Sequence, residues 1–245
     1  MANTSSCLVE KLSRYVELDR ADLDRLARLE DEEKDYARGV EVHRAGEETY
    51  GLFVVKAGWL FSYTDLPDGR RQIVNLHQPG DVIGFPDIAF RHATTTLRCI
   101  ENVTLCPFPK SALDVILRES PRLSALLLSI ALRDQVIFID LLRAMGRMSA
   151  RERIAYMLLD LRARLRVTNP TMTDSFRLPL TQGQIADYLG ITNVYVSRTM
   201  IRMEEDGEIV RADGQITLRD IPKFERLTDF CDRYADMDTS WFPGA

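Results

Sequence analysis

Leu180-Thr181-Gln182-Gly183-Gln184-Ile185-Ala186-Asp187-Tyr188-Leu189-Gly190-Ile191-Thr192-Asn193-Val194-Tyr195-Val196-Ser197-Arg198-Thr199-Met200-Ile201-Arg202-Met203-Glu204 is the stretch whose reading organises the rest of the chain. Thr181 followed three residues later by Gln184 is a capping box and predicts the start of a short helix. Ile185, Ala186 and Leu189 give that helix a face to bury, and Gly190 supplies the left-handed residue that a tight turn needs. Thr192 then caps a second helix, with Val196, Met200 and Met203 pointing inward. Its other face, Asn193, Val194, Ser197, Arg198 and Arg202, is left free and is rich in hydrogen-bonding groups. Two short helices about a Gly-containing turn of this length form a helix-turn-helix, whose second helix lies in the major groove of double-stranded DNA and reads bases with its N-terminal residues. After Gly207, Ile209 to Leu218 reads as two strands about the Asp213-Gly214 turn, a wing. The candidate DNA contacts are Thr181, Gln182, Thr192, Asn193, Val194, Tyr195, Ser197, Arg198, Arg202 and Arg211.

Upstream, Ser149 to Leu165 repeats apolar residues at helical spacing in Ile154, Ala155, Leu158 and Leu161, and the polar stretch Val167 to Ser175 reads as a loop. Before it, Pro121 opens a run to Met145 that contains no Gly or Pro and is rich in Leu, Ile and Ala. Heptads counted from Leu123 place Leu123, Ile130, Ile137 and Ala144 at one seam position, and Leu127, Asp134, Leu141 and Met148 at the other. So wide an apolar surface must be buried on two sides. The expectation is a long dimerisation helix whose interface is Leu123, Leu127, Ile130, Asp134, Ile137, Leu141 and Ala144, with Gly146 as a hinge or helix end; a fully buried core helix is the alternative.

From Val40 to Pro107 the texture changes. The β-branched and aromatic runs Leu52–Val55, Trp59–Tyr63, Gln72–Leu76 and Val103–Phe108 are separated by turn signals at 56–58, 67–69 and 78–81. That spacing predicts an antiparallel β-roll or jelly roll, preceded over Leu8 to Leu29 by one or two amphipathic helices. The fold class is therefore α+β. A sensor β-roll occupies 1–118, the dimerisation helix 119–146, a winged helix-turn-helix 147–235 and a C-terminal tail 236–245.

The chain of 245 residues is 45% apolar, enough for folded domains that each bury a core. Its first residues lack a basic segment followed by an apolar one, and no run of apolar residues is long enough for a membrane span, so a cytoplasmic protein without membrane partners is expected. The four cysteines, Cys7, Cys99, Cys106 and Cys231, are too scattered for a CxxC site or a disulfide framework. A net charge of −5 argues against a protein that coats nucleic acid without specificity. The charge is uneven, however. The acidic run Glu30 to Glu33 lies early, while Arg143, Arg147, Arg151, Arg153, Arg162, Arg164, Arg166, Arg177, Arg198, Arg202 and Arg211 all fall in the second half, as a localised DNA footprint requires.

Several segments resemble the catabolite-activator/fumarate-nitrate-regulator (Crp/Fnr) superfamily over nearly the whole chain. Gly58-Trp59-Leu60-Phe61-Ser62-Tyr63, Asp68-Gly69-Arg70-Arg71-Gln72-Ile73 and Gln78-Pro79-Gly80-Asp81-Val82-Ile83-Gly84 look like its β-roll hairpins. Pro121 onward looks like its dimerisation helix, Ser149-Ala150-Arg151-Glu152-Arg153-Ile154 like the entry to its DNA-binding domain, and Thr181 to Arg198 like its helix-turn-helix. The resemblance implies a homodimeric transcription regulator on palindromic DNA, with RNA polymerase as a partner wherever it activates.

Cyclic-nucleotide binders of the family hold the cyclic phosphate with an Arg-Ser pair and the ribose with Gly-Glu. Here Gly84 is followed by Phe85, the Arg-Ser positions fall on Ala93 and Thr94, and the helix pair that would meet the purine is Phe138 and Ile139. Cyclic nucleotide control is thus not expected. The fumarate-nitrate branch is the nearer one, yet its oxygen sensors ligate a [4Fe–4S] cluster through four cysteines. Only Cys7 and Cys106 match here, and two thiolates cannot supply that set. Haem is the other iron option, with His77 the best-placed ligand. A candidate effector pocket of Phe85, Ile88, Thr94, Phe138, Ile139 and Leu142 could hold an apolar ligand or be filled by its own side chains. No metal or other cofactor is otherwise indicated. His43, His77 and His92 do not make the His-x-His set of a metal-dependent jelly-roll enzyme, and no convergent titratable set marks an enzyme of another kind. Relatives commonly place glutamate where Val194 stands, so one base pair of the usual half-site is altered, whereas Arg198 keeps the fork suited to guanine.

Overall fold

The computed structural model describes residues 6–49 and 51–244. It divides into two compact units: one runs to Leu132 and takes in the segment from Met237 on, and the other is Arg133–Asp236. The chain therefore passes between units twice, once inside a helix and once near the C-terminal end.

In the first unit α1 (Cys7–Leu12) and α2 (Arg20–Ala27) precede eight strands: β1 (Lys34–Tyr36), β2 (Glu41–His43), β3 (Gly51–Ala57), β4 (Leu60–Asp65), β5 (Arg71–His77), β6 (Val82–Ile83), β7 (Thr96–Cys99) and β8 (Val103–Pro109). They form two antiparallel four-stranded sheets, ordered β1-β8-β3-β6 and β2-β7-β4-β5. Leu60, Leu97 and Cys99 of one sheet and Val55, Ile83, Val103 and Leu105 of the other share one core, which is what period-two alternation on facing strands produces. Gly58 turns β3 into β4 at φ 83°, and a Cβ there would lie 2.3 Å from the Asn102 carbonyl oxygen, so only glycine fits. A second core gathers Leu8 and Leu12 of α1, Leu26 of α2, Leu52, Cys106 and Phe108 of the roll, and Phe242 of the C-terminal tail. Into it also pack Ile116 of α3 (Ser111–Glu119) and Leu123 and Leu126 of α4 (Pro121–Arg147).

Helix α4 ends at Arg147, one residue beyond Gly146, so the helix end falls where it was expected and no hinge interrupts the helix before it. The heptad seam needs correcting. Leu123 (0% exposed), Leu141 (8%) and Ala144 (1%) are buried within the chain's own units, Leu127 and Ile130 pack on the second core, and Ile137 is half-buried. The Asp134 carboxylate accepts a hydrogen bond from Arg133 at 2.9 Å. The exposed apolar side chains are Leu128 (53%), Leu132 (50%), Val136 (38%), Phe138 (44%), Ile139 (59%) and Leu142 (71%); Leu128, Leu132, Ile139 and Leu142 make a stripe displaced by one to two residues from the expected seam, roughly 150° of helix. Both faces are apolar, and periodicity alone does not say which one a chain keeps for itself.

The second unit is built on α5 (Ala150–Thr168), capped by Ser149 in a reciprocal pair with Glu152. It runs to Thr168, so the loop starts later than expected. Around it lie α6 (Gln182–Leu189), α7 (Asn193–Glu205) and α8 (Ile221–Thr228). A three-stranded sheet of β9 (Ser175–Arg177), β10 (Ile209–Ala212) and β11 (Gln215–Leu218), ordered β10-β11-β9, completes the unit. Segment 229–236 folds back on α4 and α5. Arg143 donates to Asp229 at 2.9 Å, Arg233 to Asp140 at 2.9 Å, the Arg133 guanidinium lies 4.8 Å from the Tyr234 ring centre, and the Tyr234 hydroxyl donates to Asp160.

Candidate nucleic-acid interface

Thr181 Oγ1 accepts from the Gln184 N–H at 3.2 Å while Gln184 Oε1 accepts from the Thr181 N–H at 2.8 Å, so two orphan donors at the start of α6 are satisfied reciprocally. At its other end Gly190 adopts φ 63°, and Arg153 of α5 donates to the Leu189 carbonyl at 3.1 Å and to that of Met148 at 2.9 Å. Thr192 Oγ1 accepts from the Tyr195 N–H at 3.3 Å and opens α7. Ile185, Leu189, Val196, Met200 and Met203 are all buried, which fixes how α6 and α7 lie on α5.

That packing decides what α7 shows to solvent. Thr192, Asn193, Val194, Tyr195, Arg198 and Arg202 are exposed and Ser197 is half-exposed, so the candidate DNA-contacting residues of α7 lie on its solvent side. Thr181 is exposed and Gln182 half-buried at the start of α6. Among the described residues Arg198 and Arg202 have no hydrogen bond or ion pair from their side chains, and their charge is available to a ligand. Arg211 differs. Its guanidinium lies 2.5 Å from the Glu204 carboxylate, which it holds below the ordinary carboxylate range. The wing turns at Asp213 (φ 52°) and Gly214 (φ 73°), the pair of left-handed residues that a tight two-residue hairpin demands.

Sequence reasoning missed the ionic frame behind this face. Buried Glu208 meets Arg151 at 2.5 Å and Lys223 at 2.7 Å, tying α5 and α8 to the start of β10, and Arg151 also reaches Asp206 at 2.8 Å. Burial raises the affinity of Glu208 for a proton, but the hydrogen bonds from Arg151 and Lys223 outweigh it and hold the carboxyl below its usual value. Deeper, Asp160 is enclosed with Arg164, Tyr188 and Tyr234; burial pushes its carboxyl up to about 6 against the pull of Arg164 and the Tyr234 hydroxyl. The Ser149-x-x-Glu152 pattern was a legible signal for the start of α5, but nothing local announces these distant pairs.

The sensor candidates fare differently. Ile88, Thr94, Phe138, Ile139 and Leu142 are exposed, and Phe85 packs on the second core. His77 is buried with Nε2 2.7 Å from Ser62 Oγ, which removes it as a ready haem ligand. The Cys7 thiol donates to the Lys56 carbonyl at 3.4 Å, and burial pushes the Cys106 thiol up to about 11, so neither is a ready thiolate for an iron–sulfur cluster. Among the described residues no three His, Cys, Asp or Glu side chains are placed to hold a metal ion. The residues do not fit a cyclic phosphate either, because Ala93 offers no charge and the Thr94 N–H and hydroxyl both already donate to Asp87.

Residues 152–227 match the Crp-like helix-turn-helix domain and residues 33–120 the cyclic nucleotide-binding domain. The nitrogen fixation regulation protein FixK of Bradyrhizobium diazoefficiens is 33% identical over 91% of this chain and 92% of its own length. The fumarate and nitrate reduction regulatory protein of Escherichia coli is 26% identical over 86% of this chain and 84% of its own. Among solved structures, FixK2 from Bradyrhizobium japonicum matches with a TM-score of 0.72 and 27% identity over 80% of this chain and 96% of that one. With a capped helix-turn-helix, a wing and a β-roll on one chain, and similarity to FixK along nearly all of it, this protein belongs to the Crp/Fnr family of DNA-binding transcription regulators.

Proposed function

We propose that this regulator binds palindromic double-stranded DNA as a homodimer and takes neither a cyclic nucleotide nor an iron–sulfur cluster as its effector. The observation that carries the first part is the face of α7: Arg198 and Arg202 stand exposed and unpaired one turn apart, on a helix whose opposite side is fixed by Val196, Met200 and Met203. The dimer forms through Leu128, Leu132, Ile139 and Leu142, an apolar stripe on one helix at coiled-coil spacing. Effector independence is supported by the engaged donors of Thr94 and by the two thiols that stand where four thiolates would be needed. A regulator with this site works in the cytoplasm, meets RNA polymerase where it activates, and performs no catalysis.

Selection from randomised duplexes tests the reading, combined with sedimentation of the wild type and Leu142→Glu. The expected result is a palindrome with half-sites ~34 Å apart, a dimeric wild type, and a monomeric variant that binds DNA weakly. Recovery of no symmetric site would overturn the DNA-binding mode. A dimer that survives Leu142→Glu would overturn the interface.

A further inference from the structure

Asp87 is a buried carboxylate, 5% exposed, in the short helical turn Pro86–Ala89 between β6 and β7. No Lys, Arg or His side chain forms an ion pair with it among the described residues. Its Oδ1 instead accepts two hydrogen bonds from one residue, the Thr94 N–H at 2.9 Å and the Thr94 hydroxyl at 2.7 Å. A backbone N–H and a hydroxyl converging on one oxygen make a small oxyanion cradle. The segments on either side are pinned. Lys110 Nζ donates to the carbonyls of Asp87 at 2.9 Å and Phe90 at 2.8 Å, and the chain after Phe90 is tied to the preceding loop by Thr49 N–H to Arg91 O at 3.0 Å and Ala93 N–H to Glu47 O at 2.8 Å. These bonds tie the backbone on both sides of the Asp87–Thr94 contact without using the carboxylate itself.

We infer that Asp87 is a built-in ligand: its carboxylate occupies a small-oxyanion site formed by Thr94, and the site, once emptied of it, accepts a free carboxylate of the same size. This deepens the effector-independent reading, because a sensor whose anion site is closed by its own chain has no place there for an outside oxyanion. The two Thr94 hydrogen bonds offset part of the desolvation cost of the buried carboxylate, and His43 is the ionisable group that feels its charge.

The test is chemical rescue, read on DNA-free protein by thermal melting. Asp87→Ala should melt several degrees below the wild type, and sodium formate should recover part of the loss in a saturable way that sodium chloride at equal ionic strength does not. Wild type should respond to neither formate, inorganic phosphate nor cyclic AMP. If Asp87→Ala is recovered only unfolded, refolding from urea gives the same readout, with folded protein expected in formate and not in chloride. Equal behaviour in formate and chloride would overturn the proposal, as would a melting increase of the wild type with phosphate or cyclic AMP. Because no DNA is present, these outcomes stand apart from the selection experiment: an absent operator would leave the internal ligand intact, and absent rescue would leave DNA binding intact.

Discussion

Arg211 of β10 and Glu204 in the last turn of α7 meet at 2.5 Å, which ties the wing to the recognition helix and places a carboxylate beside the DNA-facing surface. Each side chain is about one-third exposed, so the pair contributes at most about 1 kcal/mol to folding. Its larger effect is on the local field. Glu204→Gln should leave melting nearly unchanged, strengthen binding to every DNA sequence, and steepen the salt dependence by roughly one phosphate per subunit as Arg211 is released. Fluorescence anisotropy at several salt concentrations measures both, and unchanged affinity would show that Arg211 stays off the phosphates.

Arg198 and Arg202 should separate in the same assay. Arg198 lies nearer the N-terminus of α7, where base edges come within reach, and a bidentate contact to guanine is worth about 1–3 kcal/mol of discrimination. Arg198→Ala should therefore relax preference at one G·C pair in each half-site. Arg202→Ala should weaken all sequences alike, as loss of a phosphate contact does. The same change in specificity for both variants would refute this docking of the helix.

Gly190 holds φ 63° at the turn between α6 and α7. An added side chain meets the left-handed penalty of roughly 1–2 kcal/mol. Gly190→Ala should lower the melting temperature by several degrees, and Gly190→Asn by less, because Asn tolerates this region better. Equal losses in the two variants would point to crowding instead of backbone conformation.

Asp160 gives the second unit a pH dependence opposite to that of a surface carboxylate. Its folded value of about 6 lies above that of an unfolded aspartate, near 3.9. The folded state therefore binds the proton more tightly between these limits. The contribution of this group is fully favourable below about pH 4 and is lost as pH rises through 6, by up to roughly 3 kcal/mol. The stability difference between wild type and Asp160→Asn, from urea unfolding across this range, isolates the term from Glu208, whose depressed value acts in the other direction. A difference independent of pH would contradict it.

Which parts of this architecture could be read from the chain follows from the range of the interactions. Thr181 with Gln184, Gly190, Thr192 and Asp213-Gly214 act on neighbours within a few residues, and each reappears as the cap or turn that its type demands. β1 and β2 were not legible, because Lys34-Asp35-Tyr36 and Glu41-Val42-His43 are edge strands with little apolar alternation. β9 gains strand structure only by pairing with β11, with Phe176 opposite Ile216. The face that α4 keeps for its own chain, the Glu208 frame and the Asp87–Thr94 contact each depend on tertiary placement. Local pattern supplied the recognition helix, and distant packing decided that Arg198 and Arg202 are free while Arg211 is held.

Phe242, 3% exposed, sits in the second core beside the N-terminal helices and forms an edge-to-face pair with Trp241, their ring centres 4.8 Å apart. Its burial is worth roughly 1.5–3 kcal/mol to the first unit. During synthesis the chain emerges from its N-terminal end, so the β-roll and its helices reach the solvent with that place still empty. The winged unit must be translated in full before the aromatic plug for the first unit becomes available. The earliest part of the protein to be made is thus the last to close, and a ribosome halted anywhere in the DNA-binding unit carries a sensor with an open core.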